Sequence, residues 1–289
     1  MIKYSIIICT YNRFNLLIET IDSIINVLKN REDYEILVID NNSKDKTPSV
    51  KDRYFENQKI KYFVESQQGL SHARNRGINE ANGEILVYFD DDIELIENYF
   101  EVCDEIFSEA SISIVGGKVL PYRVSIPTWI PVKFYYLVSI FDLGNEEKSV
   151  NTLMGANYVL RSNVCKNVGH YNTELGRKGN NLMGGEENDY FSRAMLLGYK
   201  IFYNPNLIVF HKINDKLNRN YIFQYSFEQG KSERIIDESL SKLKVFIKII
   251  KSITAILLYK SLGNFVKNEK TKNYLIIIKQ YGQGYLSKR

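Results

Sequence analysis

The chain has 289 residues, 44% of them hydrophobic and 25% charged, enough for one large α/β domain with an appendage and too many for a small cross-linked scaffold. Its three cysteines, Cys9, Cys103 and Cys165, are odd in number and widely spaced, which suggests neither a disulfide framework nor a thiolate zinc site and favours a reducing compartment. Net charge is only +4, yet residues 240–289 hold 11 of the 38 Lys and Arg and one of the 34 acids, a local excess of ten positive charges that leaves the rest at minus six. Such asymmetry points to a surface interaction by the basic part.

Taken in chain order, "KYSIIICTY" (3–11) reads as a buried strand, and "NLLIETIDSIINVLKN" (15–30) as an amphipathic helix with Leu17, Ile21, Ile24, Ile25 and Leu28 on its apolar side. "YEILVIDNN" (34–42) and "IKYFVE" (60–65) are the next strands. "GLSHARNRGINEANG" (69–83) is predicted to be a helix closed by a C-cap glycine, followed by the strand of "ILVYFDDD" (85–92). This alternation predicts an α/β fold with a doubly wound, mostly parallel sheet.

Past residue 95 the pattern loosens. "SISIVGGKVL" (111–120) and "GANYVLRSN" (155–163) are strand-like, and "IPTWIPVKFYYLVSIF" (126–141) is aromatic and interrupted by proline. A Gly-rich loop (176–188) precedes a predicted helix, "DYFSRAMLLGYK" (189–200), and a strand, "KIFYNPNLIVFH" (200–211). From about 215 the chain reads as helices. The expected organisation is one domain of two halves (1–95 and 96–214), then a basic helical extension (215–289).

Ligands of open α/β sheets bind outside the carboxyl ends of the strands. Those ends here deliver Thr10, Tyr11 and Asn12, then Asp40, then Asp90, Asp91 and Asp92. Clustered carboxylates on a rigid strand end are costly without a cation, and hard divalent ions such as Mg²⁺ or Mn²⁺ take oxygen ligands and commonly share them with phosphate. A solvated acidic turn is the plainer alternative. Neither G-x-G-x-x-G nor G-x-x-x-x-G-K-[ST] follows the first strand, so a dinucleotide site of that kind and a P-loop are not expected.

The motifs "SIIICTYNR" (5–13), "EILVIDNNSKDKT" (35–47), "GLSHARNRGI" (69–78), "ILVYFDDD" (85–92) and "GGEENDYFSRAMLLGY" (184–199) stand in the order and spacing of family 2 glycosyltransferases, the inverting enzymes of GT-A fold, and residues 3–212 resemble them. The resemblance implies that 1–95 is the nucleotide-binding half and 96–214 the acceptor and catalytic half, with a base pocket at Thr10 and Tyr11 with Asn12, and a carboxylate, Asp40, accepting the ring N–H of uracil. It also implies Arg74 and Asn75 near ribose and diphosphate. Asp90 to Asp92 look like the D-x-D motif, with Asp90 and Asp91 toward the nucleotide sugar and Asp92 as ligand of Mn²⁺ or Mg²⁺, joined by His211. The base that takes the acceptor's proton is implied at Glu187, with Asp189 as the fallback and Glu186 toward the acceptor.

Apart from the resemblance, acids at a helix start are ordinary, because the macrodipole favours them and Asn188 or Asp189 suits an N-cap. Of the aromatic residues in 127–136, most are expected in the core, with Trp129 the best candidate to stack on an acceptor sugar. In 242–262, Lys244, Lys248 and Lys251 share a helical face with aliphatic residues opposite, the pattern of a helix lying in a membrane interface, a dimer contact or a packed extension.

The expected function is metal-dependent, inverting transfer of a hexose from a UDP-sugar to a hydroxyl of a glycan or lipid-linked acceptor in cell-surface polysaccharide synthesis. No nucleic-acid partner is expected. The location implied is cytoplasmic, peripheral at the inner face of the cell membrane, since the N-terminus is a poor match to a secretory signal and no run suffices to cross a bilayer. Two alternatives remain. A sugar-nucleotide pyrophosphorylase would want a Gly-rich basic loop where this chain has "CTYNRFN", and a degenerate glycan-binding module would lack metal-dependent nucleotide binding.

Overall fold

The computed structural model describes residues 1–179 and 181–287 and divides into two compact units. The first comprises Met1–Arg123, Ile140–Thr173 and Glu186–Lys212; the second comprises Val124–Ser139, Glu174–Gly185 and the chain from Ile213.

The first unit is built on one sheet. In chain order its elements are β1 (Tyr4–Thr10), α1 (Phe14–Val27), β2 (Tyr34–Asp40), a short α2 (Val50–Arg53), β3 (Ile60–Val64), α3 (Leu70–Glu80), β4 (Ile85–Phe89), β5 (Ile93–Leu95) and α4 (Tyr99–Ser108). They continue as β6 (Ile114–Pro121), β7 (Lys148–Val150), β8 (Asn157–Arg161), α5 (Ser162–Val168), α6 (Glu186–Leu196) and β9 (Ile201–His211). The strand order is β3-β2-β1-β4-β8-β6-β9-β5, with β7 also paired to β9. Strands β3, β2, β1 and β4 are mutually parallel. β8 runs antiparallel to both β4 and β6, and β9 is parallel to β6, so the C-terminal end of β9 lies on the same sheet edge as those of β1, β2 and β4.

Period-two alternation explains why the strands read as unbroken apolar runs. Ile6, Ile8, Ile36, Val38, Val87 and Phe89 face a core layer completed by α1 and α4. Ile7, Leu37, Ile39, Leu86 and Tyr88 face the other, completed by α3, α5 and α6. A sheet covered on both faces has no solvated side to give alternating polarity. Pro205, inside β9, has no N–H to give a ladder. The pairing with β6 is interrupted there by an irregularity between Gly116 and Lys118, and the Asn157 side chain donates to the carbonyls of Lys118 and Leu207, both at 3.0 Å.

Several helix boundaries differ from the sequence expectation, among them the end of α3 and the start of α6. α3 stops at Glu80 with Ala81 already extended, and Gly83 is not its cap: its N–H donates to Ser5 Oγ of β1 at 2.7 Å. α6 starts at Glu186, three residues before the expected start, so neither Asn188 nor Asp189 is an N-cap and both glutamates fall inside the first turn.

The second unit holds a 3₁₀ turn at Val132–Val138 and three helices, α7 (Arg219–Leu240), α8 (Lys242–Leu262) and α9 (Glu269–Leu286). Asn218, Ser241 and Asn268 cap them, each side-chain oxygen accepting a backbone N–H of the first turn. α9 passes close to both neighbours because Gly282 and Gly284 admit the backbones of Ser252 and Phe227, where a Cβ would collide. No helix among the described residues is long and apolar enough to cross a membrane.

Candidate active site

The site assembles where the strand order reverses between β1 and β4, the position at which open α/β sheets bind ligands. The β1 and β2 ends are in register, Thr10 opposite Asp40, and β4 runs out beside them into Asp90, Asp91 and Asp92. From the far side of the sheet β9 brings His211, paired opposite Ile93 of β5.

The acidic triplet is divided in its environment. Asp90 is half-buried, Asp91 is 4% exposed and Asp92 is fully buried. His211, also fully buried, places Nε2 2.6 Å from Asp92 Oδ1 and 3.6 Å from Asp90 Oδ2. Donor atoms of these three residues all lie within 4.8 Å of one another. Two carboxylates and an imidazole at that spacing fit a divalent cation, and burial of two of them separates the cluster from a solvated acidic turn. Asp91 stands apart from that set: Thr10 Oγ1 donates to its Oδ2 at 2.7 Å. Burial, opposed by the Arg13 guanidinium and reinforced by Asp92, pushes the Asp91 carboxyl up to about 6.

Arg13 is the residue that the sequence reading missed. It lies 2.6 Å from Asp92 Oδ2 and 3.0 Å from Asp91 Oδ1, and so neutralises part of the triplet from the loop after β1. The only signal was its place in "CTYNR", and an arginine in a loop is ordinarily a solvated charge.

A second charged cluster lies beside the first. Arg74 of α3 is 3% exposed, and its guanidinium spans Glu186 at 2.5 Å and Glu187 at 3.0 Å, 5.7 Å from the Tyr171 ring. Burial by itself would lower the arginine's pKa; the two glutamates outweigh it, so the guanidinium stays charged. Glu186 is 1% exposed whereas Glu187 is half-buried. Gly155 abuts this pair: a Cβ there would collide with Glu187 Oε1 and come within 2.7 Å of an Arg74 nitrogen. Near the end of β1, burial, the largest influence, pushes the Cys9 thiol up to about 12, with Arg74 lowering it and Asp90, Asp91 and Glu186 raising it.

Asp40 is 1% exposed, accepting the Ser43 N–H at 2.9 Å on Oδ1 and a short hydrogen bond from the Tyr62 hydroxyl on Oδ2. Tyr11 is half-buried. Asn12 is exposed with φ 55°, and its side chain accepts the Lys44 N–H at 2.7 Å, which fastens the loop after β1 to the loop after β2. The Asn75 amide is paired both ways with the Tyr171 backbone, at 3.0 and 2.7 Å. Asp189 is tied to Arg193 at 2.9 Å. Trp129 belongs to the second unit, half-buried, with the Arg219 guanidinium 5.0 Å from its ring.

Comparison with known proteins bears on the family and the fold. The glycosyl transferase family 2 profile matches residues 5–169. The glucosyl-dolichyl phosphate glucuronosyltransferase of Haloferax volcanii is 26% identical over 244 residues, 81% of this chain and 77% of that protein. The GalNAc(5)-diNAcBac-PP-undecaprenol beta-1,3-glucosyltransferase of Campylobacter jejuni is 35% identical over 123 residues, 42% of this chain but only 39% of that protein. Among solved structures, the mannosyltransferase PcManGT from Pyrobaculum calidifontis, in complex with GDP-Man and Mn²⁺, superposes with a TM-score of 0.64 at 15% identity, covering 97% of this chain and 86% of that one. The fold is that of GT-A glycosyltransferases, and the chain belongs to glycosyl transferase family 2: it is a glycosyltransferase.

Proposed function

We propose that the protein transfers a hexose from a UDP-sugar to a hydroxyl of a lipid-linked glycan, in a divalent-cation-dependent reaction that inverts the anomeric carbon, as a step of cell-surface polysaccharide synthesis. The observation that carries the reading is the convergence of Asp90, Asp92 and His211, with donor atoms within 4.8 Å of one another, on the strand ends that also hold Asp40. Support for the lipid-linked acceptor comes from the two curated relatives, whose names specify dolichyl phosphate and PP-undecaprenol glycans. The free thiols of Cys9, Cys103 and Cys165 suit a cytoplasmic location.

In this reading Asp90, Asp92 and His211 hold the cation, which when bound offsets the charge of the departing diphosphate. A mixed oxygen and nitrogen donor set suits Mn²⁺ better than Mg²⁺, which prefers oxygen alone. Asp40 receives the uracil N–H on lone pairs left by Ser43 and Tyr62, and Tyr11 borders the base. Thr10 acts indirectly, by fixing Asp91. Glu187 takes the acceptor proton: of the acids in the first turn of α6, it alone is half-buried and held from one side only by Arg74, whereas Glu186 is enclosed and Asp189 is committed to Arg193. Attack by the acceptor oxygen on the face opposite the leaving group gives inversion in a single displacement. Arg74 is a positioning residue in this scheme, and Asn75 holds the Tyr171 segment.

Calorimetric titration of UDP, GDP and ADP with and without MnCl₂ tests the donor half. UDP binding that needs Mn²⁺ is the expected result, and binding indifferent to the metal would remove the cation site. Proton NMR of the product formed from an α-linked UDP-sugar tests the stereochemistry, a β linkage being expected.

A further inference from the structure

α8 has two unlike faces. Toward its own unit it sets Lys248, which lies 2.6 Å from Glu233 and 2.7 Å from Asp237 of α7, and the buried Ser252. Lys248 therefore does not belong to a free basic face with Lys244 and Lys251, as its spacing had suggested; its charge is taken up inside the helix trio. The opposite stripe is apolar and open: Leu243, Phe246, Ile250, Ile253 and Leu257 are 67, 60, 50, 45 and 58% exposed. At 3.6 residues per turn these five fall on one side of the helix. Ile247 and Leu258, 43 and 38% exposed, widen the stripe on one side as far as Lys244 and Lys251, and Lys242 and Lys260 run along its other edge; all four lysines are exposed, and α8 contains no acid.

We propose that this face of α8 lies flat in the headgroup region of a bilayer containing anionic phospholipid. Its aliphatic side chains would enter the acyl boundary while the bordering lysines reach out to lipid phosphates along their own apolar stems. A monomeric soluble protein rarely exposes a contiguous apolar stripe of this length. Charge decides between a lipid and a second copy of the chain: pairing α8 with α8 would bring lysine borders against lysine borders with no acid to answer them, whereas an anionic leaflet neutralises all four. The inference does not depend on the proposed transfer reaction, although together they would hold the enzyme at the surface where a lipid-linked acceptor resides.

Flotation of the full chain with vesicles tests it. Wild type should float with equimolar phosphatidylglycerol and phosphatidylcholine at low salt and remain behind with phosphatidylcholine alone. Lys244→Gln/Lys251→Gln/Lys260→Gln should weaken binding about a hundredfold, each lysine being worth roughly fivefold near an anionic leaflet. Ile250→Gln/Leu257→Gln should abolish flotation. Both variants alter exposed side chains and should keep wild-type Mn²⁺-dependent UDP affinity; if that affinity were missing in every protein while flotation persisted, the proposed reaction would fail and this surface would stand. Wild type that stays behind with anionic vesicles, or floats equally with neutral ones, overturns the proposal. So does a dimer in light scattering that Ile250→Gln/Leu257→Gln dissociates, which would assign the face to a second copy.

Discussion

His211 Nε2 lies 2.6 Å from Asp92 Oδ1, and both side chains are fully buried although 119 residues separate them. The contact is set by the β5–β9 seam, where Ile93 pairs with His211 and the Lys212 N–H reaches the Asp92 carbonyl at 2.9 Å. Asp92→Ala should therefore abolish Mn²⁺-dependent UDP binding, and His211→Ala should weaken it by more than about a hundredfold, since loss of even an outer-shell partner costs ten- to a hundredfold. Undiminished affinity in calorimetry of either variant would take that residue out of the metal site.

Arg13 makes a different prediction from the same carboxylates. Its guanidinium pairs with both Asp91 and Asp92, so Arg13→Gln leaves buried charge less well compensated. Without metal the variant should lose about 1–3 kcal/mol of stability. MnCl₂ should then raise its Tm by more than it raises that of wild type, which differential scanning fluorimetry in EDTA and in MnCl₂ would measure.

Glu187→Gln should retain donor affinity while kcat falls about a hundred- to ten-thousandfold, the range for a positioned general base. Transfer at the wild-type rate would reassign the role. Gly155→Ala tests the position of that carboxylate without touching its chemistry, because the added methyl occupies the place of Glu187 Oε1. kcat should fall with little change in UDP affinity.

Removal of Arg74 should be felt first as instability. Arg74→Met leaves Glu186, 1% exposed, with its guanidinium partner gone, and loss of one member of a buried pair typically costs about 3–5 kcal/mol. Urea denaturation would register the loss; a midpoint within error of wild type would contradict it.

Asp104 links stability to acid. Burial would raise its carboxyl, but hydrogen bonds from Arg31 and Lys3, both at 2.5 Å, and from Tyr4 at 2.7 Å hold it down at about 2, below the ordinary 3.8. A carboxyl depressed on folding contributes fully above its unfolded pKa and is lost as pH falls through the folded one, so the decline belongs between about pH 4 and pH 2. The full linkage would be about 2 to 3 kcal/mol, and with 35% of the side chain in solvent about 1 kcal/mol is expected. Asp104→Asn should flatten that part of the stability curve in urea titrations from pH 5 to pH 2.

Local sequence determined the longer strands and where their acids would emerge, though not the three-residue strands β5 and β7. Apolar runs such as "IIIC" and "ILVYF" have no polar face to solvate, so they had to be interior strands, and Asp40 and Asp90 to Asp92 follow them directly along the backbone. Family resemblance added His211 and the glutamates of α6. Tertiary structure alone decided which cation answers which acid: Arg13 to Asp91 and Asp92, Arg74 to Glu186 and Glu187, Arg193 to Asp189, and Lys248 to α7. It also set the antiparallel β8 that turns β6 and β9 back to parallel and delivers His211 to the β4 end. The physical reason is that periodicity acts over a few bonds, whereas Coulomb energy depends on distance through space, and a separation of 113 residues between Arg74 and Glu187 says nothing about that distance until the sheet has formed.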